Sequence, residues 1–373
     1  MRLCRDCIGI QAGRKPFTLA RHSRGCFICE GKVFGKAEKI LLAGMRGAEG
    51  LEFSSFQVGT RLPEEVAVRE ELALEIGGVE GAVSLKSLLN KRLSQVFSEK
   101  TGARAELFEP ELRLIVDVPD ERVEFEPQPL YVAGRYRKLS REVAQSKWHC
   151  RKCNGRGCAE CGGRGRMYES VEEKVGEVLR KAAEGEGTKF HSSGREDVDA
   201  RMLGSGRPFA IEIIKPKKRR LDLTGLELAA NSLNKGVVEV EGLFIAGKKF
   251  MEMLHNARLD KRYRVLAELE SPVEWKELKK LKPVIMRQQT PVRVLHRRSN
   301  LERVRRIKEI KAKKAYGNFL ELEISTEAGA YVKEFVSGDF GRTTPSLSEI
   351  LGRKAKALEL DVVEIEKLIE DWW

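Results

Sequence analysis

All eight cysteines of the chain fall into C-x-x-C pairs, and none is left over. The pairs are Cys4/Cys7, Cys26/Cys29, Cys150/Cys153 and Cys158/Cys161. A chain with this pattern must fold a tight turn at each pair and bring the pairs together two by two. The first two pairs read C-x2-C-x18-C-x2-C, a spacing suited to a four-thiolate zinc ribbon. The other two read CRKCNGRG and CAECGGRG, a tandem C-x-x-C-x-G-x-G repeat. Its glycines permit the positive-φ turns that let backbone wrap a metal closely. In a reducing compartment such pairs are zinc ligands before they are disulfides. Every ligand would come from protein, so one or two structural Zn2+ ions are expected, with no cofactor for catalysis.

The 373 residues allow two or three domains. With 69 Lys+Arg against 56 Asp+Glu, the net charge of +13 favours a polyanionic partner, nucleic acid ahead of membrane. A hydrophobic share of 41% excludes a disordered chain. No apolar stretch reaches the 18 or so residues of a membrane span. The N-terminal MRLCRDC has no apolar signal core, so a cytoplasmic location is expected.

Periodicity supplies the elements. Helices are expected over Leu62 to Ile76 and from an N-cap at Ser84, followed by alternating strands through Leu112–Val118 and Val123–Phe125. This α+β module ends in YVAGRYRKLSR, where Arg135, Arg137, Lys138 and Arg141 interleave with Tyr131 and Tyr136. The segment is either a solvated strand end or an RNA-facing edge. Further helices are expected at Val171–Ala183, 223–234 and 246–256. Strands are expected at Phe209–Ile214, Val237–Leu243, Tyr263–Leu269, Val292–Leu295, Phe319–Ile324, Tyr331–Val336 and Val362–Ile365. This spacing fits a mixed, mainly antiparallel sheet with peripheral helices. Two basic runs stand out: KPKKRR at 215–220, and 293–314 with ten Lys/Arg against two Glu. Like charges so concentrated repel unless an anion answers them, so phosphate contact is expected; a solvated helix face is the alternative.

The polar, glycine-bounded stretch SSGREDVDARMLGSGRPFAIEI at 192–213 is the candidate catalytic segment. An Asp among Arg195, Arg201 and Arg207 should stay ionised, fit to attack a sugar carbon or to support a cationic one. A structural Asp–Arg loop is the alternative. Gly204-Ser205-Gly206 has no following helix of the dinucleotide kind, so no nucleotide cofactor is expected.

Three long motifs carry a family resemblance. They are GREDVDARMLG at 194–204 with GRPF at 206–209, QQTPVRVLHRR at 288–298, and AGAYVKEFVSGDFGRT at 328–343. In that order they resemble the archaeal and eukaryotic tRNA pseudouridine synthases acting on the TΨC arm; the cysteine arrangement and GRYRKLSR match the archaeal branch. The resemblance implies an α+β protein in three parts. These are a zinc-ribbon module (1–45), a THUMP-like RNA-binding module ending in a Cys4 zinc knuckle (46–168), and a pseudouridine synthase catalytic domain with a mixed, mainly antiparallel sheet (169–373). It implies an isomerase that converts uridine 54 and/or 55 of tRNA, with Asp197 as nucleophile at C1′ of a flipped-out uridine. Asp199, five residues before Gly204, is the second candidate nucleophile. Tyr263 and Tyr331 would hold the uracil, Lys333 would pair with the catalytic carboxylate, and Arg195 would bind substrate. Arg135, Lys138, Arg293, Arg297 and Arg298 would contact RNA. The partner implied is tRNA, with a monomer expected. The rival reading is a non-catalytic zinc-ribbon RNA-binding protein. A THUMP-bearing methyltransferase would need a Gly-rich strand–helix loop that the sequence lacks.

Overall fold

The computed structural model describes residues 2–10, 18–19, 25–77 and 82–366. The chain forms two compact units. The first runs up to Leu130 and adds Ala183–Glu186 and Ile214–Arg220; the second takes Tyr131–Ala182, Gly187–Ile213 and the chain from Leu221 onwards.

In the first unit the elements are β1 (Arg2–Leu3), α1 (Arg5–Ile10), β2 (Thr18–Leu19), α2 (Val33–Gly44), β3 (Ser55–Arg61), α3 (Glu64–Gly77), α4 (Leu85–Thr101), β4 (Arg104–Ala105), β5 (Leu112–Asp117) and β6 (Arg122–Pro127). Ser84 caps α4 as expected: its hydroxyl accepts from Ser87 N–H at 3.1 Å. Leu85, Leu89, Leu93 and Phe97 then recur at every fourth residue and form the buried stripe. Phe97 meets Phe56 of β3 edge to face, with ring centroids 4.7 Å apart. The sheet order is β4-β3-β5-β6, with β3 parallel to both neighbours and β6 antiparallel to β5. Cys4, Cys7, Cys26 and Cys29 share one core with Phe34, Leu41, Leu89 and Phe56. Residue 45 therefore marks no division between packed bodies.

Part of the KPKKRR run is used inside this unit. The Arg219 guanidinium donates to Gln128 O (2.7 Å) and Pro129 O (3.2 Å), and the Arg219 and Arg220 N–H groups both donate to Glu52. Lys215 and Lys218 pair with Glu186 and Glu184.

The second unit comprises β7 (Leu130–Lys138), α5 (Val171–Ala182), β8 (Gly187–Ser192), β9 (Ala200–Ile214), α6 (Leu223–Leu233), β10 (Val238–Ala246), α7 (Lys248–Asn256), β11 (Lys261–Leu269), α8 (Trp275–Leu278), β12 (Val284–Gln289), β13 (Glu302–Tyr316), β14 (Phe319–Thr326), α9 (Val332–Ser337), β15 (Thr343–Thr344), α10 (Leu347–Leu351) and β16 (Ala355–Ile365). The sheet runs β10-β7-β9-β16-β11-β14-β13-β12-β15, with β8 on β9; β16 lies parallel to β9. β7 pairs with β10, placing Tyr136 opposite Val240, and residues 131–168 belong to this second unit. The division expected at 168 lies at 130/131.

Three local expectations differ. Tyr331–Val336 is mostly helix α9, not a strand: Gly329 at φ 81 breaks the extended run, and Val332, Phe335 and Val336 fall on one helical face. Val292–Leu295 is a 3-10 turn that follows Pro291. The basic run at 302–316 is strand β13. Register shifts after Ile307 and Ala312 break its two-residue period, which hid it in the sequence. The protein itself answers much of its charge: Lys308 pairs with Asp260, Lys313 with Glu323, and Lys311 with Glu309.

Candidate active site and thiol clusters

Ser193 to Asp199 link β8 to β9 and hold the Gly-Arg-Glu-Asp segment. Gly194 stands at φ 89, and a Cβ there would lie 3.0 Å from Arg207 Nη1, so only glycine fits without strain. Glu196 turns inward. It accepts from Arg207 Nε (2.9 Å) and from the Tyr136 hydroxyl (2.8 Å). Gln145 Nε2 donates in turn to the Tyr136 hydroxyl (2.8 Å) and to Gly194 O (3.0 Å). Lys138 is fully buried beneath the loop and donates to Val143 O (2.8 Å), Asp197 O (3.0 Å) and Val198 O (2.7 Å). Burial lowers its pKa to about 8. With Glu196 inward, the next side chain, Asp197, faces a cavity of about 290 Å³, also lined by Trp148, Arg195, Lys261, Tyr263, Tyr331 and Lys333.

The opposite wall supplies the cations. Arg293 Nη1 lies 2.7 Å from Asp197 Oδ1, and its Nε lies 2.6 Å from Glu334. Burial works against the Arg293 charge, but Glu334 and then Asp197 outweigh it, and its pKa is raised. Lys333 Nζ sits 2.7 Å from both Asp199 oxygens and 3.6 Å from Asp197 Oδ2. Burial alone would raise the Asp199 pKa; the Lys333 ammonium more than offsets this and holds it below the usual range. Tyr263 is buried, and that burial pushes its hydroxyl up to about 12. Gln288 clamps the Tyr331 backbone, donating to its carbonyl at 2.9 Å and accepting from its N–H at 3.0 Å. Arg298 donates to the Tyr331 hydroxyl at 3.1 Å.

The fold thus gathers Asp197, Arg195, Tyr263, Tyr331 and Lys333 around one cavity. Other expected roles shift. Lys333 makes its short contacts to Asp199, and the cation nearest Asp197 is Arg293, which the sequence had suggested for RNA. Lys138 cannot meet RNA from its buried place. Arg135 donates to Ser205 O and Gly206 O of β9. The Arg297 side chain lies outside the described residues. Sequence reasoning passed over Glu196, Trp148 and Lys261, and set Arg207 beside the aspartate, where it pairs with Glu196. Only Glu196 carried a signal: adjacent acids in an extended loop point opposite ways, so one of Glu196 and Asp197 had to face inward and need a cation.

The geometry of each thiol cluster suits a metal ion. In both, the four Sγ atoms lie within 4.8 Å of one another. A zinc–sulfur bond of about 2.3 Å gives a tetrahedron with edges of about 3.8 Å. The separations are 3.6 Å for Cys4–Cys29, 3.7 Å for Cys150–Cys158, 3.8 Å for Cys158–Cys161 and 3.9 Å for Cys153–Cys161. These are far longer than the roughly 2.0 Å of a disulfide. Backbone N–H groups of Gly157, Cys158 and Gly165 donate to sulfur at 3.2 Å, as thiolates require. The two repeats of the second cluster interlock. A Cβ on Gly157 would lie 2.6 Å from Gly163 O, and one on Gly165 2.3 Å from Gly155 O. Both groups could hold a metal ion.

Comparison with known proteins adds a family. The family model described as "Pus10, C-terminal" matches residues 131–366, and that described as "Pus10 THUMP domain, archaeal" matches residues 44–117. Among curated relatives, the tRNA pseudouridine synthase Pus10 of Methanothrix thermoacetophila is 41% identical, over 91% of this chain and 76% of its own length. Proteins of the same name from Korarchaeum cryptofilum (40%; 91% and 93%) and Methanothermobacter marburgensis (42%; 98% and 95%) are similar. A solved Cbf5–Nop10–Gar1 complex matches with a TM-score of 0.31 and 17% identity, over 53% of this chain and 45% of that one; nothing further rests on it.

Proposed function

The chain belongs to the Pus10 family of tRNA pseudouridine synthases, and from that premise we propose that it isomerises uridine 54, uridine 55 or both in the TΨC arm, with Asp197 as the attacking carboxylate. The observation that carries this is Asp197 facing the cavity with Arg293 at 2.7 Å and Lys333 at 3.6 Å. The N1–C1′ bond breaks, the freed uracil turns, and C5 joins C1′. The proton lost from C5 is matched by one gained at N1, so no redox step is needed. The carboxylate bonds to the electron-poor C1′ as N1 leaves and is released as C5 joins, and Arg293 aims it. Tyr263 and Tyr331 offer aromatic surface to the detached base. Incubation with unmodified tRNA, followed by carbodiimide-blocked primer extension, tests the reading; no stop at 54 or 55 sinks it.

Two further expectations belong here. The thiol geometry supports two structural zinc ions per chain. Elemental analysis of protein purified without chelator should give a ratio near two, and a folded, metal-free chain would contradict the assignment.

RNA binding should also be salt-sensitive. Replacing both Arg305 and Arg306 with alanine should lower the slope of log affinity against log salt by about 2. Alanine at Lys311 and Lys313 should change it little, since Glu309 and Glu323 already face them. Equal effects from the two pairs would mean that the carboxylates do not neutralise β13.

A further inference from the structure

The stem of the second thiol cluster carries two aromatic rings with no part in the reading above. Trp148 and Tyr168 flank the cluster. Their segments are tied by a bridge between His149 and Arg166 and by Met167 N–H donating to Trp148 O at 3.1 Å. The rings meet edge to face with centroids 5.6 Å apart, and Tyr168 is 39% exposed. Arg195 lies over the indole at 5.6 Å. Both rings line a cavity of about 700 Å³ that also includes Asp197, Arg293 and Lys333, so it adjoins the catalytic cavity and shares Trp148 with it. Arg151 and His296 also line it, beside Arg141 and the acids Glu142 and Asp199, and the Arg151 guanidinium donates to His296 Nε2 at 2.8 Å.

Turning a uridine out of its stack also strips a stacking partner from its neighbour in the strand. Aromatic side chains beside cations are the usual replacement in single-stranded RNA sites, where each stacked base contributes about 1–3 kcal/mol. On the reading that Asp197 attacks a flipped uridine, we propose that this second cavity binds an adjacent nucleotide of the same RNA strand. Its base stacks on Tyr168, whose ring Trp148 supports at 75°, and its phosphate is held by Arg151 and His296.

The test uses TΨC-arm hairpins with 2-aminopurine on the 5′ or the 3′ side of the reacting uridine, titrated with the full, metal-loaded chain. One of the two positions should be quenched on binding. Tyr168→Ala and Trp148→Ala should abolish that quenching and weaken binding roughly tenfold, while Tyr168→Phe should retain it. If the wild-type chain converts the unlabelled hairpin yet quenches neither probe, the subsite is overturned. The same holds if quenching persists in both alanine variants. Should a variant fail to fold, the wild-type quenching still decides. A wild-type chain that leaves the hairpin unconverted would instead remove the synthase reading on which the subsite rests.

Discussion

Asp197→Asn should stop pseudouridine formation, lowering the single-turnover rate by on the order of 10⁴-fold or more, while tRNA binding stays within a few-fold. The two effects separate because affinity is spread over many phosphate contacts and the chemistry rests on one carboxylate. Asparagine keeps the shape of Asp197 and can still meet Arg293, so the loop should hold, but the amide cannot attack C1′. Asp199→Asn should be milder. Lys333 covers both oxygens of Asp199 at 2.7 Å, which marks that residue as an anchor for the cation. Arg293→Met should cost more activity than Lys333→Met, since Arg293 is the closer partner of Asp197 by 2.7 Å against 3.6 Å. A dead Asp199→Asn beside an active Asp197→Asn would place the nucleophile two residues later. Activity in both would place the nucleophile outside this loop.

The second large effect concerns stability. The side chains of Arg207 and Glu196 are 1% and 2% exposed, with Nε and Oε2 2.9 Å apart. Arg207→Met would strand a carboxylate out of water and should destabilise the second unit by about 3–5 kcal/mol. For a unit of this size that corresponds to a melting transition lower by about 10 °C. Adding Glu196→Gln should recover much of that loss, because the remaining amide carries no charge. It should not recover activity, since the loop that aims Asp197 would have lost its inward anchor. Calorimetry beside a single-turnover assay reads both. An Arg207→Met protein as stable as the wild type would mean that water reaches Glu196.

What the sequence disclosed follows physical lines. Thiol spacing, the Ser84 cap and the four-residue stripe of α4 are local signals, and the structure contains each. Residues of all three motifs, Asp197, Arg293 and Lys333 among them, line one cavity. What stayed hidden depended on tertiary partners. Lys138 sits among charged neighbours in a basic segment, yet three backbone carbonyls claim its ammonium. Arg293 reads as one more arginine of a basic run, and only the fold carries it to Asp197. Strand β13 escaped because its bulges broke the alternation and its lysines hid the apolar positions. Tyr331–Val336 misled because a short apolar run fits strand and helix alike.

The path of the chain bears on how such a protein can be inherited. It passes between the two units at 130/131, 182/183, 186/187, 213/214 and 220/221. The last return to the first unit delivers Arg219 to the carbonyls of Gln128 and Pro129 and brings the Arg219 and Arg220 amides to Glu52. A gene fragment ending at residue 130 would encode the THUMP-like half without that plug. Recombination at a single joint would therefore transfer neither half intact, and the binding and catalytic parts would tend to descend together as one unit of exchange.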